Sequence, residues 1–187
     1  MRWQDVGGLE CSVARALSVC GDRWTLLILR DAFLGTRRFD AFQAQLCITR
    51  HRLADRLTKL VGYGVLRKER YQERPPRDEY RLTDKGRDLY GVVVMLAAWG
   101  DRWMAGADGP PVVRVHRDCG HVATLRLACE HCGAPVTARD MEARPGPGVR
   151  RSARPTGIAS TTRGRRRTAR RRAVAGAAGE RGRGGAR

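Results

Sequence analysis

Lysine is nearly absent from this chain. Three lysines stand against 34 arginines, a bias that follows the GC-rich codons of arginine and points to a GC-rich genome rather than to an activity. Long apolar runs are also missing. None approaches the roughly 18 residues that a membrane-spanning helix needs, so no segment is expected to cross a bilayer. The first residues, Met1-Arg2-Trp3-Gln4-Asp5, lack the apolar stretch of a secretory leader, which leads to the expectation of a cytoplasmic protein. In that compartment the six cysteines are expected to be thiols, metal ligands or redox sensors rather than structural disulfides. Histidine is scarce, and three of the four histidines fall in one cysteine-rich segment. No nucleophile–base constellation stands out, so an enzyme is the weakest class. A zinc ion with an open position would be its one route to activating water.

Acidic residues are what the C-terminal part lacks. From Arg144 onward 14 arginines face a single acid, Glu180, which places about +13 of the formal +18 charge in this tail. The chain's basicity therefore describes the tail, and a case for nucleic-acid binding has to rest on a motif. At 187 residues there is room for one well-buried domain and an appendage.

The periodicity supplies that motif. A short helix over Cys11–Cys20 precedes a second over Asp22–Phe33, capped by Asp22, with Trp24, Leu27, Ile28 and Ala32 on one face. Gly35-Thr36 breaks it. Phe39, Phe42 and Leu46 mark a third helix over Arg38–Leu46, and Cys47-Ile48 forms a turn. Thr49 then caps a basic helix to Tyr63, in which Leu53, Leu57, Leu60 and Val61 face inward. Gly64 suits a left-handed helix end. Strands over Val65–Tyr71 and Arg77–Leu82 flank a tip at Arg74-Pro75-Pro76-Arg77, because proline cannot donate to a ladder. Thr83 caps a long helix to about Ala107, whose stripe of Leu89, Val92, Val93, Leu96, Trp99 and Trp103 is more than the module can cover. A second copy of the chain is the simplest occupant. The fold class is thus mainly α with a small β wing, a winged helix-turn-helix. After it come a short Cys/His-rich β segment over 112–142 and an Arg/Ala/Gly-rich tail over 144–187, expected to be disordered.

Several of these runs together resemble the HxlR-type winged helix-turn-helix regulators. They are Cys11-Ser12-Val13-Ala14-Arg15-Ala16-Leu17, Gly21-Asp22-Arg23-Trp24-Thr25-Leu26-Leu27-Ile28-Leu29-Arg30, Arg37-Arg38-Phe39-Asp40 and Leu53-Ala54-Asp55-Arg56-Leu57. The Pro75-Pro76-Arg77 tip, Tyr80-Arg81-Leu82-Thr83 with Gly86, and Trp99-Gly100 complete the set. The resemblance covers about residues 9–107, with Ser12 where proline is usual. It implies a homodimer on palindromic operator DNA controlling a nearby gene, and in some members a sensing cysteine where Cys11 stands.

A helix that follows a tight turn and precedes a wing presents its N-terminal half to base edges. Arg50 and Arg52 are therefore the candidates to donate to guanine, His51 could contact either bases or phosphate, Thr49 is counted with them as DNA-binding, and Arg56 and Lys59 are the phosphate candidates. At the tip, Arg74 and Arg77 would meet backbone or minor groove. A basic solvated face and a rigid solvated turn are the plainer alternatives. In the cysteine-rich segment Cys119, His121, Cys129 and Cys132 offer four N/S ligands on two turns, which suits tetrahedral zinc, with His116 or His131 able to replace His121. Ordinary thiols are the alternative there, as a buried thiol is for Cys11. The tail, with Arg163-Gly164-Arg165-Arg166-Arg167, would bind any polyanion, so a non-specific nucleic-acid-binding protein is the second functional reading.

Overall fold

Residues 3–149 are described by the structure, a computed structural model; of the arginine-rich tail expected over 144–187, all but residues 144–149 lies outside them. A short 3-10 helix, Trp3–Gly8, packs on α1 (Ser12–Cys20). Then come α2 (Thr25–Phe33), α3 (Phe39–Leu46), α4 (Arg50–Gly62), β1 (Leu66–Gln72), β2 (Arg77–Leu82), α5 (Asp84–Arg87) and α6 (Tyr90–Met104). No helix among the described residues is long and apolar enough to cross a membrane.

One cluster forms the core. Ile28 and Leu29 of α2, Phe42 and Leu46 of α3, Ile48, Leu53, Leu57 and Leu60 of α4, Val65, Leu66 and Val93 of α6 are all buried. Fully burying such a side chain contributes roughly 1.5–3 kcal/mol, so the leucines at every third or fourth position set how α4 lies against α2 and α3. On α2 and at its N-cap, Trp24, Ile28 and Ala32 face the core as expected, and Leu27 does not. Thr25, Ile28, Leu29 and Asp31 are buried while Leu27 is 37% exposed. The helix starts at Thr25, three residues after Asp22. Asp22 still serves that first turn, its Oδ1 accepting from the amides of Trp24 (2.9 Å) and Thr25 (3.1 Å).

Strands β1 and β2 form an antiparallel hairpin in which Leu66 faces Leu82 and Arg70 faces Asp78, with an irregularity between Arg70 and Gln72. The α2–α3 link adds a partial third strand: Arg38 bridges Glu79, and the Tyr80 amide donates to the Arg37 carbonyl at 2.8 Å. Gly64 has φ +69°, the left-handed end that lets α4 turn directly into the wing.

The long helix expected after Thr83 is two helices. Thr83 does cap the first, its Oγ1 accepting from the Gly86 amide at 3.1 Å. Asp88 and Leu89 then interrupt the helix, because Gly86 is pressed against the Val65 carbonyl and ties α5 to the wing base while α6 packs on α2. The helix ends at Met104, short of Gly109. The expected stripe divides accordingly: Val93 and Val94 are buried, whereas Val92, Leu96, Trp99 and Trp103 are 50–65% exposed.

Candidate nucleic-acid interface

The α3–turn–α4 unit places the candidate residues on the outer face of α4. The turn itself depends on Cys47, which adopts φ +50° and so reverses the chain within two residues. Thr49 occupies the cap position of α4, but its side chain makes no capping hydrogen bond, contrary to the role expected of it. Its exposed hydroxyl is left available on the same end of the helix as His51 and Arg52.

The cations here divide by whether the protein already uses them. Arg50 lies 3.8 Å from Asp40 Oδ1 and stacks over the Phe39 ring at 4.8 Å. Arg56, only 27% exposed, sits between two carboxylates. Its Nε is 3.3 Å from Asp22 Oδ1, near enough for an ion pair but too poorly aligned for a hydrogen bond, and its Nη1 is 3.7 Å from Asp55. This half-buried pair joins α4 to the start of α2, so Arg56 has less to offer a phosphate than its position in the sequence implies. Lys59 pairs with Asp55 at 3.2 Å but stays half exposed. The side chains of His51 and Arg52 are exposed and make no hydrogen bond or ion pair among the described residues.

The wing repeats the division. Along its stem, Arg67 and Arg81 reach Glu69 at 2.5 and 2.8 Å, and Arg81 also reaches Glu79 at 2.5 Å. One diagonal pair, Arg81–Glu69, and two pairs within a strand thus relieve the like-charged residues that stand opposite one another in the register. On the other face Asp78 receives Lys68 and Arg70, each at 2.8 Å. The hydrogen bond from Lys68, then that from Arg70, holds the Asp78 carboxyl below the usual carboxylate range. At the tip, Arg74 and Arg77 are exposed and their side chains make no such contact among the described residues. Arg38, at the root, lies over the Tyr71 ring at 4.7 Å, a basic residue beside the wing that periodicity alone did not single out. Within α4 and the wing, the basic side chains left without a carboxylate partner are therefore those at the N-terminal half of the helix and at the tip.

The remaining candidates lie elsewhere. Cys11 precedes α1 and is exposed, not the buried thiol that was the plainer expectation. Cys20 is the buried one, and burial pushes its thiol up. In the segment after α6, two tight turns carry Cys119 and Cys129–Cys132. His116, rather than His121, faces Cys119, with Nδ1 3.4 Å from Sγ. The amides of Cys132 and His131 bond the Cys129 sulfur and, with the Cys132 thiol, lower its pKa. Among the described residues no three His, Cys, Asp or Glu side chains stand in an arrangement that could hold a metal ion.

Comparison with known proteins gives a consistent result. The profile of the HxlR-like helix-turn-helix family matches residues 19–108. An uncharacterized HTH-type transcriptional regulator of Mycobacterium tuberculosis is 48% identical over 139 residues, 74% of this chain and 88% of its own length. Among solved structures, the candidate transcription factor PA1607 is 38% identical with a TM-score of 0.68, covering 75% of this chain and 98% of its own. A second, PA1374 from Pseudomonas aeruginosa, is 36% identical with a TM-score of 0.54, covering 75% of this chain and 96% of its own. At 139 residues, the likeness to the mycobacterial protein is too long to stop at residue 108 and runs into the segment after α6.

Proposed function

Because the chain belongs to the HxlR-like helix-turn-helix family of transcriptional regulators, we propose that it acts in the cytoplasm as a homodimer that reads a palindromic operator and represses a nearby gene. Two copies of α4 enter successive major grooves about one helical turn apart, with the wings against the flanking backbone. The observation that carries this reading is the segregation of charge: cations of the wing stem and of mid-α4 are matched by carboxylates, while His51, Arg52, Arg74 and Arg77 are not. An unmatched guanidinium can replace water by a base edge or phosphate without first breaking an internal ion pair. Support for the dimer comes from Val92, Leu96, Trp99 and Trp103, which one protomer leaves largely exposed at helical spacing on α6. The protein performs no catalysis in this reading.

Titration of variants against operator and scrambled duplex tests the assignment. Arg52→Ala should weaken operator binding by about 1–3 kcal/mol and scrambled DNA by much less, as loss of a base contact does. Arg74→Ala should weaken both about equally, as loss of a backbone contact does. Equal losses on both duplexes for Arg52→Ala would remove its base-reading role. Deleting residues 144–187 separates the reading from a tail-dominated polyanion binder: specific operator binding should survive the deletion in the first case and DNA binding should collapse in the second.

A further inference from the structure

The segment after α6 contains a structural repeat with an offset of 13 residues. In the first turn Val115 bridges Val122, and in the second Ala128 bridges Pro135. The His116 amide donates to the His121 carbonyl at 2.9 Å, as Cys129 does to Ala134 at 2.9 Å. The Gly120 amide donates to the His116 carbonyl at 2.8 Å, as Gly133 does to Cys129 at 2.7 Å. The Ala123 amide closes the first turn on Arg114, and the Val136 amide closes the second on Leu127. Gly120 and Gly133 share φ +69°, a conformation that glycine adopts without strain.

Superposition by this pattern assigns the roles. His116 corresponds to Cys129 and Cys119 to Cys132, so each turn carries two N/S side chains three residues apart, just before its glycine. His121 corresponds to Ala134, which ligates nothing. The sulfur and the ring nitrogen of the first pair already face each other at 3.4 Å.

We propose that these two turns are the halves of one tetrahedral zinc site, ligated by His116, Cys119, Cys129 and Cys132. Three thiolates and one imidazole are a standard ligand set for structural zinc, and with four protein ligands no position remains for water. The two pairs are not gathered into one group here, so closing the site requires residues 123–127, which join the turns without regular structure, to rearrange on metal binding. The segment also needs an organiser: no residue from Ala105 to Val149 is buried, and Val115, Val122 and Leu127 are each more than half exposed. Metal binding supplies folding free energy that an absent core does not. A disulfide between Cys129 and Cys132 would not account for the repeat, because the same backbone turn carries a histidine in its first half. The site is independent of DNA reading by α4.

The test is metal analysis and chelator competition on the full chain, purified under reducing conditions without chelator. Wild-type protein should hold about one equivalent of zinc per chain. Cobalt substitution should give the intense visible absorption of a tetrahedral thiolate site. Cys132→Ser and His116→Ala should each weaken zinc binding at least 100-fold, whereas His121→Ala should leave it unchanged. Chelation should expose residues 112–136 to protease while the winged helix stays intact. Less than a tenth of an equivalent in wild type, a Cys129–Cys132 disulfide in the purified protein, or metal lost in His121→Ala but kept in His116→Ala would each overturn the proposal.

Discussion

Replacing Gly86 by alanine should be among the most damaging single-methyl additions to this protein. A Cβ at this position would lie 2.1 Å from the Val65 carbonyl oxygen, 3.2 Å from its carbon and 3.1 Å from Leu82 Cδ2. Carbon and carbonyl oxygen approach comfortably only to about 3.3 Å, so the two backbones must separate by roughly 1 Å. The oxygen cannot simply turn away, because it accepts the Thr83 amide at 3.1 Å and the Thr83 hydroxyl at 3.2 Å. Overpacking of this kind costs about 1–3 kcal/mol, and the Gly86–Thr83 capping bond that the shift would break contributes about 1 kcal/mol more. A loss near 3 kcal/mol lowers the melting temperature of a domain this size by about 12–24 °C. Urea and thermal unfolding of Gly86→Ala beside wild type give the comparison. Gly62→Ala is the control: this last residue of α4 has nothing within 4 Å of a built Cβ, and the exchange should be neutral or stabilising by up to about 1 kcal/mol. The joint also sets the direction of the wing, so operator affinity should fall with stability. A loss below 1 kcal/mol for Gly86→Ala would refute the reasoning, for it would mean that the wing base and α5 separate freely.

Two further outcomes are expected. Leu96→Glu should yield a folded monomer in sedimentation, because Leu96 is 52% exposed in one protomer but would bring an unpaired charge into the proposed dimer contact; a well-folded dimer of unchanged affinity would place the interface elsewhere. With a thiol reagent at mildly alkaline pH, exposed Cys11 and Cys47 should be modified well before Cys20, whose burial both shields it and keeps it protonated, and first reaction at Cys20 would contradict the packing of α1.

Periodicity was enough to locate the helix-turn-helix and the wing, because the signals there are local. The leucines of α4, Gly64, and the prolines at the tip act over one or two turns of chain, and the structure places these elements within a few residues of the expected bounds. The same local reading could not see that Asp88 and Leu89 interrupt the last helix, since the cause is contact between Gly86 and a carbonyl 21 residues earlier. Nor could it choose among the basic residues. Arg50, Arg52 and Arg56 are equivalent as letters, yet Arg56 is held by Asp22, 34 positions away, and Arg52 by nothing described. The 13-residue repeat was present in the sequence as Cys119-Gly120 and Cys132-Gly133, but the equivalence of His116 and Cys129 emerged only from matching backbone hydrogen bonds. What the sequence by itself determined was the order of elements and the family, because patterns of three to seven residues specify them. Which charges remain free, and which histidine shares a turn with a cysteine, only the tertiary structure decided, because both depend on partners brought together across the fold.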